Sequence, residues 1–151
     1  MSGETDLIKL YSARILELAA DIPHHGRLDA PEATVKRRAP LCGSTVTVDL
    51  VTDGEKITDY AAEVKACALG QAAASVVGGA ILGCTLDQVT EARDALKAML
   101  KSEGPTPPAP FDGLEVLRPA RDYKNRHASI LLTLEATVEA MEQAKAAHSC
   151  A

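Results

Sequence analysis

The sequence contains no tryptophan and few other aromatic residues, which make up 3% of its 151 residues. Proteins that stack nucleic-acid bases use aromatic platforms, and proteins that bind phosphates use a basic stripe, whereas this chain has a net charge of −5. We therefore expect no nucleic-acid partner. The core must be built from Ala, Val, Leu and Ile, and a chain of this length is predicted to form one domain over residues 1–151.

Membrane and export signals are also missing. No apolar run reaches the roughly 18 residues of a spanning helix, and the first residues lack the basic and apolar regions of a secretory signal. The chain has no C-x-x-C pair among its four cysteines, Cys42, Cys67, Cys84 and Cys150. Scattered thiols in a reducing compartment are structural or reactive and do not form a disulfide framework. The sequence thus predicts a cytoplasmic protein with no membrane partner.

Secondary structure follows from the spacing of apolar residues. Spacings of three and four predict helices over residues 6–20, 68–82, 86–101 and 124–147, with a short helical turn at 114–118 ended by Pro119. Thr85 and Gln88 have the spacing of a capping box, which places a helix start there. Alternation predicts strands over residues 33–39, 44–51 and 57–65, with Asp53-Gly54 as a hairpin turn.

This order of elements predicts an α+β fold. A helix comes first, three strands follow as an antiparallel meander, and the remaining helices pack on one face of that three-stranded sheet. A proline-rich loop covers residues 104–113, and loops of this length in compact domains are often functional or mobile.

Two cysteines flank the predicted strands and carry the main functional signal. Cys42 precedes the middle strand and Cys67 follows the last one, so antiparallel pairing brings both thiols to the same sheet edge. Cys67 also lies just ahead of a helix N-terminus, where the dipole favours a thiolate. His127, at the start of the last helix, is a third candidate, and two thiolates with an imidazole would provide three ligands for zinc or an iron–sulfur cluster. Structural cysteines are the alternative.

The other candidate groups have simpler interpretations. The adjacent His24 and His25 are expected to be exposed loop residues, because neighbouring side chains seldom point to one centre. Cys84 is predicted to be a buried thiol and Cys150 a thiol in the chain's tail. Two basic groups precede the candidate site residues, and they either form a solvated surface, lower thiol pKa values or meet an acidic partner: Lys36, Arg37 and Arg38 before Cys42, and Arg118, Arg121 and Arg126 before His127.

A family resemblance sharpens this interpretation. The turn 40–43 with the alternating strand after it, and the run 57–75, in which Cys67 leads into a small-residue helix containing Ala74-Ser75, resemble the U-type iron–sulfur cluster assembly scaffolds. That family includes IscU, SufU and the N-terminal domain of NifU. The similarity extends from the first helix to Leu134, and the long stretch between Cys67 and His127 is closer to the SufU kind.

The resemblance implies a SufE/NifU-like fold and a scaffold or sulfur carrier, and so favours a protein that is not itself an enzyme. Such a protein holds zinc or a nascent iron–sulfur cluster on Cys42, Cys67 and His127, with Ser44 as a further candidate ligand. It accepts sulfur from a cysteine desulfurase, with Cys67 as the candidate acceptor. The sulfur or cluster then passes to iron–sulfur apoproteins or Suf-type assembly proteins.

Two departures from the family pattern leave alternatives open. Ser44 stands where the family's C-G-D turn has aspartate, and the third cysteine is replaced, with Ala128 aligned to it or His127 as a direct substitute. A degenerate family member acting as a non-catalytic binding or regulatory protein is therefore the second hypothesis. A thiol hydrolase using Cys67 with His127 is the third, although no oxyanion-hole or orienting-acid motif accompanies the pair.

Overall fold

The computed structural model describes residues 11–149 as helices around a three-stranded antiparallel sheet. The strands occur in spatial order β1-β2-β3, and the sheet is followed by the longer helices, as predicted. In this part of the chain no helix has both the length and the apolar composition needed to cross a membrane. The elements are α1 Ala13–Ala20, β1 Ala33–Arg38, β2 Thr45–Thr52, β3 Ile57–Lys65, α2 Ala68–Ala80, α3 Leu86–Ser102, 3-10 helices Asp112–Asp122 and Lys124–Arg126, and α4 His127–Ser149.

Most predicted boundaries agree with the structure to within a few residues. The capping box at the start of α3 is confirmed, because Gln88 N donates to Thr85 Oγ1 (3.2 Å) and Thr85 N donates to Gln88 Oε1 (2.9 Å). The first helix was predicted from residue 6, but α1 begins after Ser12, whose hydroxyl accepts from Ile15 N. Residues 6–10 lie outside the described part of the chain.

The prediction that Pro119 ends the turn at 114–118 is wrong, because the 3-10 helix continues through Pro119 to Asp122. The fixed φ of proline is compatible with a 3-10 helix, so only one backbone donor is lost there. Burial of the apolar side chains Leu114, Leu117 and Ala120 stabilises the segment against that loss.

The helices pack against one face of the sheet. Helix α4 contacts β1 and β2, α2 contacts β3, and α4 also packs along α2 and α3. Alternating residues of β2 bury Val46, Val48 and Leu50 in the core. The phenol of Tyr60 lies in this core, 3.0 Å from the hydroxyl of Thr137 on α4, and burial raises the pKa of Tyr60 to about 12.

Asp49 on β2 is also fully buried, although it alternates with the apolar residues. Its carboxylate accepts from Arg27 Nε (2.7 Å), Leu28 N (3.0 Å) and Thr34 Oγ1 (2.6 Å). Burial alone would raise the pKa of the Asp49 carboxyl, but these hydrogen bonds and the Arg27 charge outweigh it and hold the pKa below its usual value. The segment before β1 is thereby fastened to the middle strand of the sheet.

Candidate functional site

Cys42 lies on the turn between β1 and β2. The turn is closed by hydrogen bonds from Ala39 N to Ser44 O (2.8 Å) and from Gly43 N to Ala39 O (2.9 Å). Gly43 adopts a φ of +73°, a left-handed conformation that residues with a side chain seldom adopt. Cys42 is consequently exposed on a tight turn at the end of the sheet.

Cys67 occupies the corner between β3 and α2. It is the N-cap residue of α2, and its carbonyl accepts from Gln71 N (2.9 Å) while its side chain makes no capping hydrogen bond. Because the half-buried thiol does not cap the helix, it can contact side chains of other elements. The antiparallel register that pairs Thr45 with Lys65 brings this corner beside the turn that carries Cys42.

Two serine hydroxyls join the thiols. Cys42 Sγ donates to Ser44 Oγ (3.1 Å), Ser44 Oγ lies 3.0 Å from Ser129 Oγ, and Ser129 Oγ lies 3.6 Å from Cys67 Sγ. Both serines are buried, whereas Cys42 is exposed and Cys67 is half-buried. We call these four residues the thiol–serine cluster.

The hydroxyls change the chemistry of the exposed thiol. Hydrogen bonding to the Ser44 side chain lowers the pKa of the Cys42 thiol below its ordinary value, against the opposing effect of partial burial. The Ser44 backbone and the Ser129 side chain contribute in the same direction. A larger share of Cys42 is therefore thiolate near neutral pH, and the thiolate is the form that attacks sulfur or binds metal.

Gly70 on α2 permits the close approach of Ser129 on α4. A Cβ at position 70 would lie 2.5 Å from Ser129 Oγ and 3.2 Å from Ser129 O, closer than such atoms normally come. Only glycine leaves this space. The small residues of α2 therefore have a specific effect, which is to bring the start of α4 against Cys67.

His127 makes its hydrogen bonds outside the thiol–serine cluster. Its ring is buried, and Nε2 lies 3.0 Å from both Ala120 O and Arg121 O, so Nε2 carries the hydrogen. Within residues 11–149, no hydrogen bond joins His127 to a thiol, and no group of three or more His, Cys, Asp or Glu side chains is arranged to hold a metal. A role for His127 as third ligand remains a prediction, and the Cys67–His127 pair of a thiol hydrolase is not formed.

Ser129 is the member of the cluster that sequence reasoning missed. The family pattern placed Ala128 or His127 at the position of the third cysteine, whereas the hydroxyl that contacts Cys67 belongs to Ser129, one residue after Ala128. A signal was present, because Ser129 begins a run of apolar residues, and a serine on the buried side of a helix needs a hydrogen-bonding partner.

The basic groups lie mostly away from the thiols. Arg118 braces the proline-rich loop by donating to Gly104 O (3.0 Å) and Thr106 Oγ1 (2.8 Å), and Arg121 pairs with Glu103 (3.2 Å) at the end of α3. On β1, Arg37 pairs with Glu139 (2.8 Å) at the surface. Arg38 is nearer to the site, since its Nη2 lies 3.9 Å from where a Cβ of Gly43 would be.

The remaining predictions for histidines and cysteines can be compared directly. His24 and His25 are exposed loop residues, as expected, and the segment that contains them pairs with the outer edge of β3 at Ala62. Cys84 is buried, its Sγ lies 3.2 Å from Ala80 O, and burial raises the pKa of its thiol. Cys150 lies outside the described residues.

Comparison with known proteins agrees with this architecture. The chain is 45% identical to a nitrogen-fixing NifU-like protein (N-terminal) from Brucella abortus, with a TM-score of 0.89 over 93% of this chain and 98% of that one. It is 26% identical over 140 residues to the iron–sulfur cluster assembly scaffold protein IscU of Streptococcus pyogenes serotype M1, covering 92% of this chain and 87% of the relative.

The fold alone is shared with a putative iron–sulfur cluster assembly scaffold protein for the SUF system from Fervidobacterium islandicum AW-1. That structure has a TM-score of 0.78 at 23% identity, covering 89% of this chain and 98% of that one. The model of the NifU-like N-terminal domain family matches residues 10–129, which include every member of the thiol–serine cluster. The chain therefore belongs to the NifU-like N-terminal domain family, that of the U-type iron–sulfur cluster assembly scaffolds.

Proposed function

We propose that this protein is a sulfur-accepting scaffold of iron–sulfur cluster assembly, which receives sulfur from a cysteine desulfurase on Cys67 and presents it with Cys42 to a nascent cluster. The observation that carries the proposal is the placement of both thiols against the linked hydroxyls of Ser44 and Ser129 at one end of the sheet. Family membership supports it, because scaffolds of this family bind iron–sulfur clusters and act with desulfurases and recipient proteins.

The accessibility of the thiols fits the transfer of sulfur between proteins. Cys42 is exposed, and Cys67 is half-buried beside it, so a persulfide on a partner can approach this edge of the sheet. Transfer requires a thiolate on the accepting side, and it leaves the partner's cysteine as a thiolate in turn. Iron–sulfur apoproteins or Suf-type assembly proteins are the proposed recipients.

The thiol–serine cluster offers fewer metal ligands than a closed metal site requires. A tetrahedral zinc site or an iron–sulfur cluster takes four protein ligands, and the thiol–serine cluster offers two thiols. Neutral hydroxyls are poor ligands, and His127 would first have to leave the carbonyls of Ala120 and Arg121. We therefore propose that zinc or a nascent cluster is held weakly by Cys42 and Cys67, with the other positions left to further donors.

The test is sulfur loading of the reduced full-length chain by a cysteine desulfurase and cysteine without oxygen, followed by peptide mass spectrometry. We expect one added sulfur atom on the peptide that contains Cys67, and none there in Cys67→Ser. Cys84→Ala is the matched control, because it removes a thiol outside the cluster and should load as the wild type does.

Metal analysis of untagged protein completes the test. We expect substoichiometric zinc or iron in the wild type and less in the Cys42→Ser and Cys67→Ser variants. A chain that takes no sulfur on Cys67, and whose metal content is the same in all variants, would refute the proposal. That result would favour the alternative of a non-catalytic binding or regulatory protein.

A further inference from the structure

Two serine hydroxyls connect the site thiols. The Ser129 hydroxyl is 3.6 Å from Cys67 Sγ and 3.0 Å from Ser44 Oγ, and Ser44 Oγ lies 3.1 Å from Cys42 Sγ. A continuous path of two serine hydroxyls therefore runs from one sulfur atom to the other. Among the described residues, Cys84 is the remaining thiol, and it is buried against Ala80 O.

Cys42 can move without breaking the sheet. It lies outside the strands, on the turn 40–42, and its side chain is exposed. The hydrogen bonds that close the turn join Ala39 with Gly43 and Ser44, so none of them involves the backbone of Cys42. Rotation of the Cys42 side chain therefore costs its hydrogen bond to Ser44 but no ladder hydrogen bond.

We propose that Cys42 is a resolving thiol, which releases the sulfur carried on Cys67 as hydrosulfide by forming a Cys42–Cys67 disulfide. This inference rests on the proposed function, because it needs sulfur to arrive on Cys67 as a persulfide. Cluster assembly consumes sulfide, whereas a desulfurase delivers sulfur at a higher oxidation level. The two cysteine thiols supply the two electrons that reduce the delivered sulfur to sulfide.

The step balances as an ordinary thiol–disulfide exchange. The Cys42 thiolate attacks Sγ of the Cys67 persulfide, the Cys42–Cys67 sulfur bond forms, and the bond from Cys67 Sγ to the outer sulfur breaks. The outer sulfur leaves with that electron pair as HS⁻, so it is reduced while the two cysteines are oxidised. An external dithiol must then reduce the disulfide before the next turnover.

Removing Cys42 has different consequences for a metal ligand and for a resolving thiol. Loss of a ligand lowers the metal or cluster content, whereas loss of a resolving thiol leaves the persulfide in place on Cys67. Cys42→Ser is a suitable variant, because position 42 is exposed on a turn and contributes nothing to the core. Cys84→Ala again serves as control, since it retains both site thiols.

The experiment treats the reduced full-length chain with inorganic polysulfide without oxygen, removes the excess by desalting, and follows intact mass, peptide maps without reduction, and released sulfide. In the wild type and Cys84→Ala we expect a Cys42–Cys67 disulfide and hydrosulfide. In Cys42→Ser we expect a stable persulfide on Cys67 and at least a tenfold loss of sulfide release. Dithiothreitol should return the wild-type disulfide to two thiols.

The outcomes separate this inference from the proposed function. If the wild type keeps its Cys67 persulfide as long as Cys42→Ser does, the resolving role of Cys42 is wrong and sulfur acceptance stands. If neither protein carries sulfur on Cys67 at any time and no Cys42–Cys67 disulfide forms, both the inference and sulfur acceptance on Cys67 fail.

Discussion

Substituting Gly70 tests whether the close approach of α2 and α4 shapes the site. A Cβ at position 70 would lie 2.5 Å from Ser129 Oγ, 2.9 Å from Ala66 Cβ and 3.2 Å from Ser129 O. The hydroxyl can rotate away only by giving up its contacts with Ser44 and Cys67, and the carbonyl and Ala66 can move only with their backbones. Alanine's better helix propensity contributes about 1 kcal/mol, whereas overpacking costs about 1–3 kcal/mol, so we expect Gly70→Ala to lower the free energy of unfolding by about 1 kcal/mol, within a range of about 0–2 kcal/mol.

Gly79→Ala is the matched control on the same helix. A Cβ at position 79 would meet only Pro23 Cγ, at an ordinary contact distance of 3.8 Å. We expect this variant to be neutral or more stable by up to about 1 kcal/mol, because nothing opposes the gain in helix propensity. Urea denaturation at a fixed pH, with equal slopes for both variants, measures the two changes.

A double substitution tests whether the destabilisation caused by Gly70→Ala arises from the contact with Ser129. Gly70→Ala combined with Ser129→Ala removes the nearest overlapping atom, so the pair should be less destabilised than the sum of the single variants, with a coupling of about 0.5 kcal/mol or more. The reasoning is refuted if Gly70→Ala is as stable as Gly79→Ala. It is also refuted if the two substitutions are simply additive.

Three further substitutions probe the scaffold. Asp49→Asn should cost about 1.5–3 kcal/mol in urea unfolding at about pH 7, because a buried carboxylate loses charge-assisted hydrogen bonds, including the one from Arg27. Tyr60→Phe should cost about 1 kcal/mol, since its hydroxyl donates to Thr137 Oγ1, which itself donates to a backbone carbonyl. Thr85→Ala should cost about 1 kcal/mol, measured by thermal and urea unfolding, because it removes the capping hydroxyl of α3.

The effects of Asp49→Asn and Tyr60→Phe should depend on pH. The folded-state pKa of Asp49 is lowered, so its contribution is complete above the unfolded pKa of about 3.9 and is lost as pH falls through the lower folded value. Asp49→Asn should accordingly lose its disadvantage in acid, and a constant difference from the wild type would contradict the assignment. The pKa of Tyr60 is raised to about 12, so wild-type stability should fall as pH rises from about 10 toward that value, less steeply in Tyr60→Phe. As the control for Thr85→Ala, Thr85→Ser should keep most of the wild-type stability, because serine retains the capping hydroxyl.

The sheet could be predicted because its signals are local. The sequence of β2 alternates between apolar and polar residues over most of its length, and the predicted bounds of the last strand are the observed ones. The 3-10 helix through Pro119 could not be predicted by the rule that proline ends a helix, because buried side chains from both sides of that residue stabilise the turn. The burial of Asp49 escaped prediction for a similar reason, since the Arg27 that pairs with it comes from an irregular segment.

The two thiols could also be placed from the sequence, because the antiparallel order of the strands brings the start of β2 beside the end of β3. The third group could not. It depends on the rotation of α4 about its axis, and a shift of one residue along a helix turns the side chain by about 100°. That rotation directs His127 to the carbonyls of Ala120 and Arg121 and brings Ser129 to Cys67.

The identity of that third group bears on the proposed function. A cysteine or histidine there would have completed a three-ligand metal site, whereas Ser129 offers a hydroxyl that hydrogen-bonds to sulfur and binds metal poorly. Ser44 has the same effect on Cys42, where the family's turn has aspartate. The hydroxyls hydrogen-bond to sulfur and lower the pKa of the Cys42 thiol, but they are poor metal ligands, and both properties support the proposal that the site transfers sulfur in preference to storing a metal.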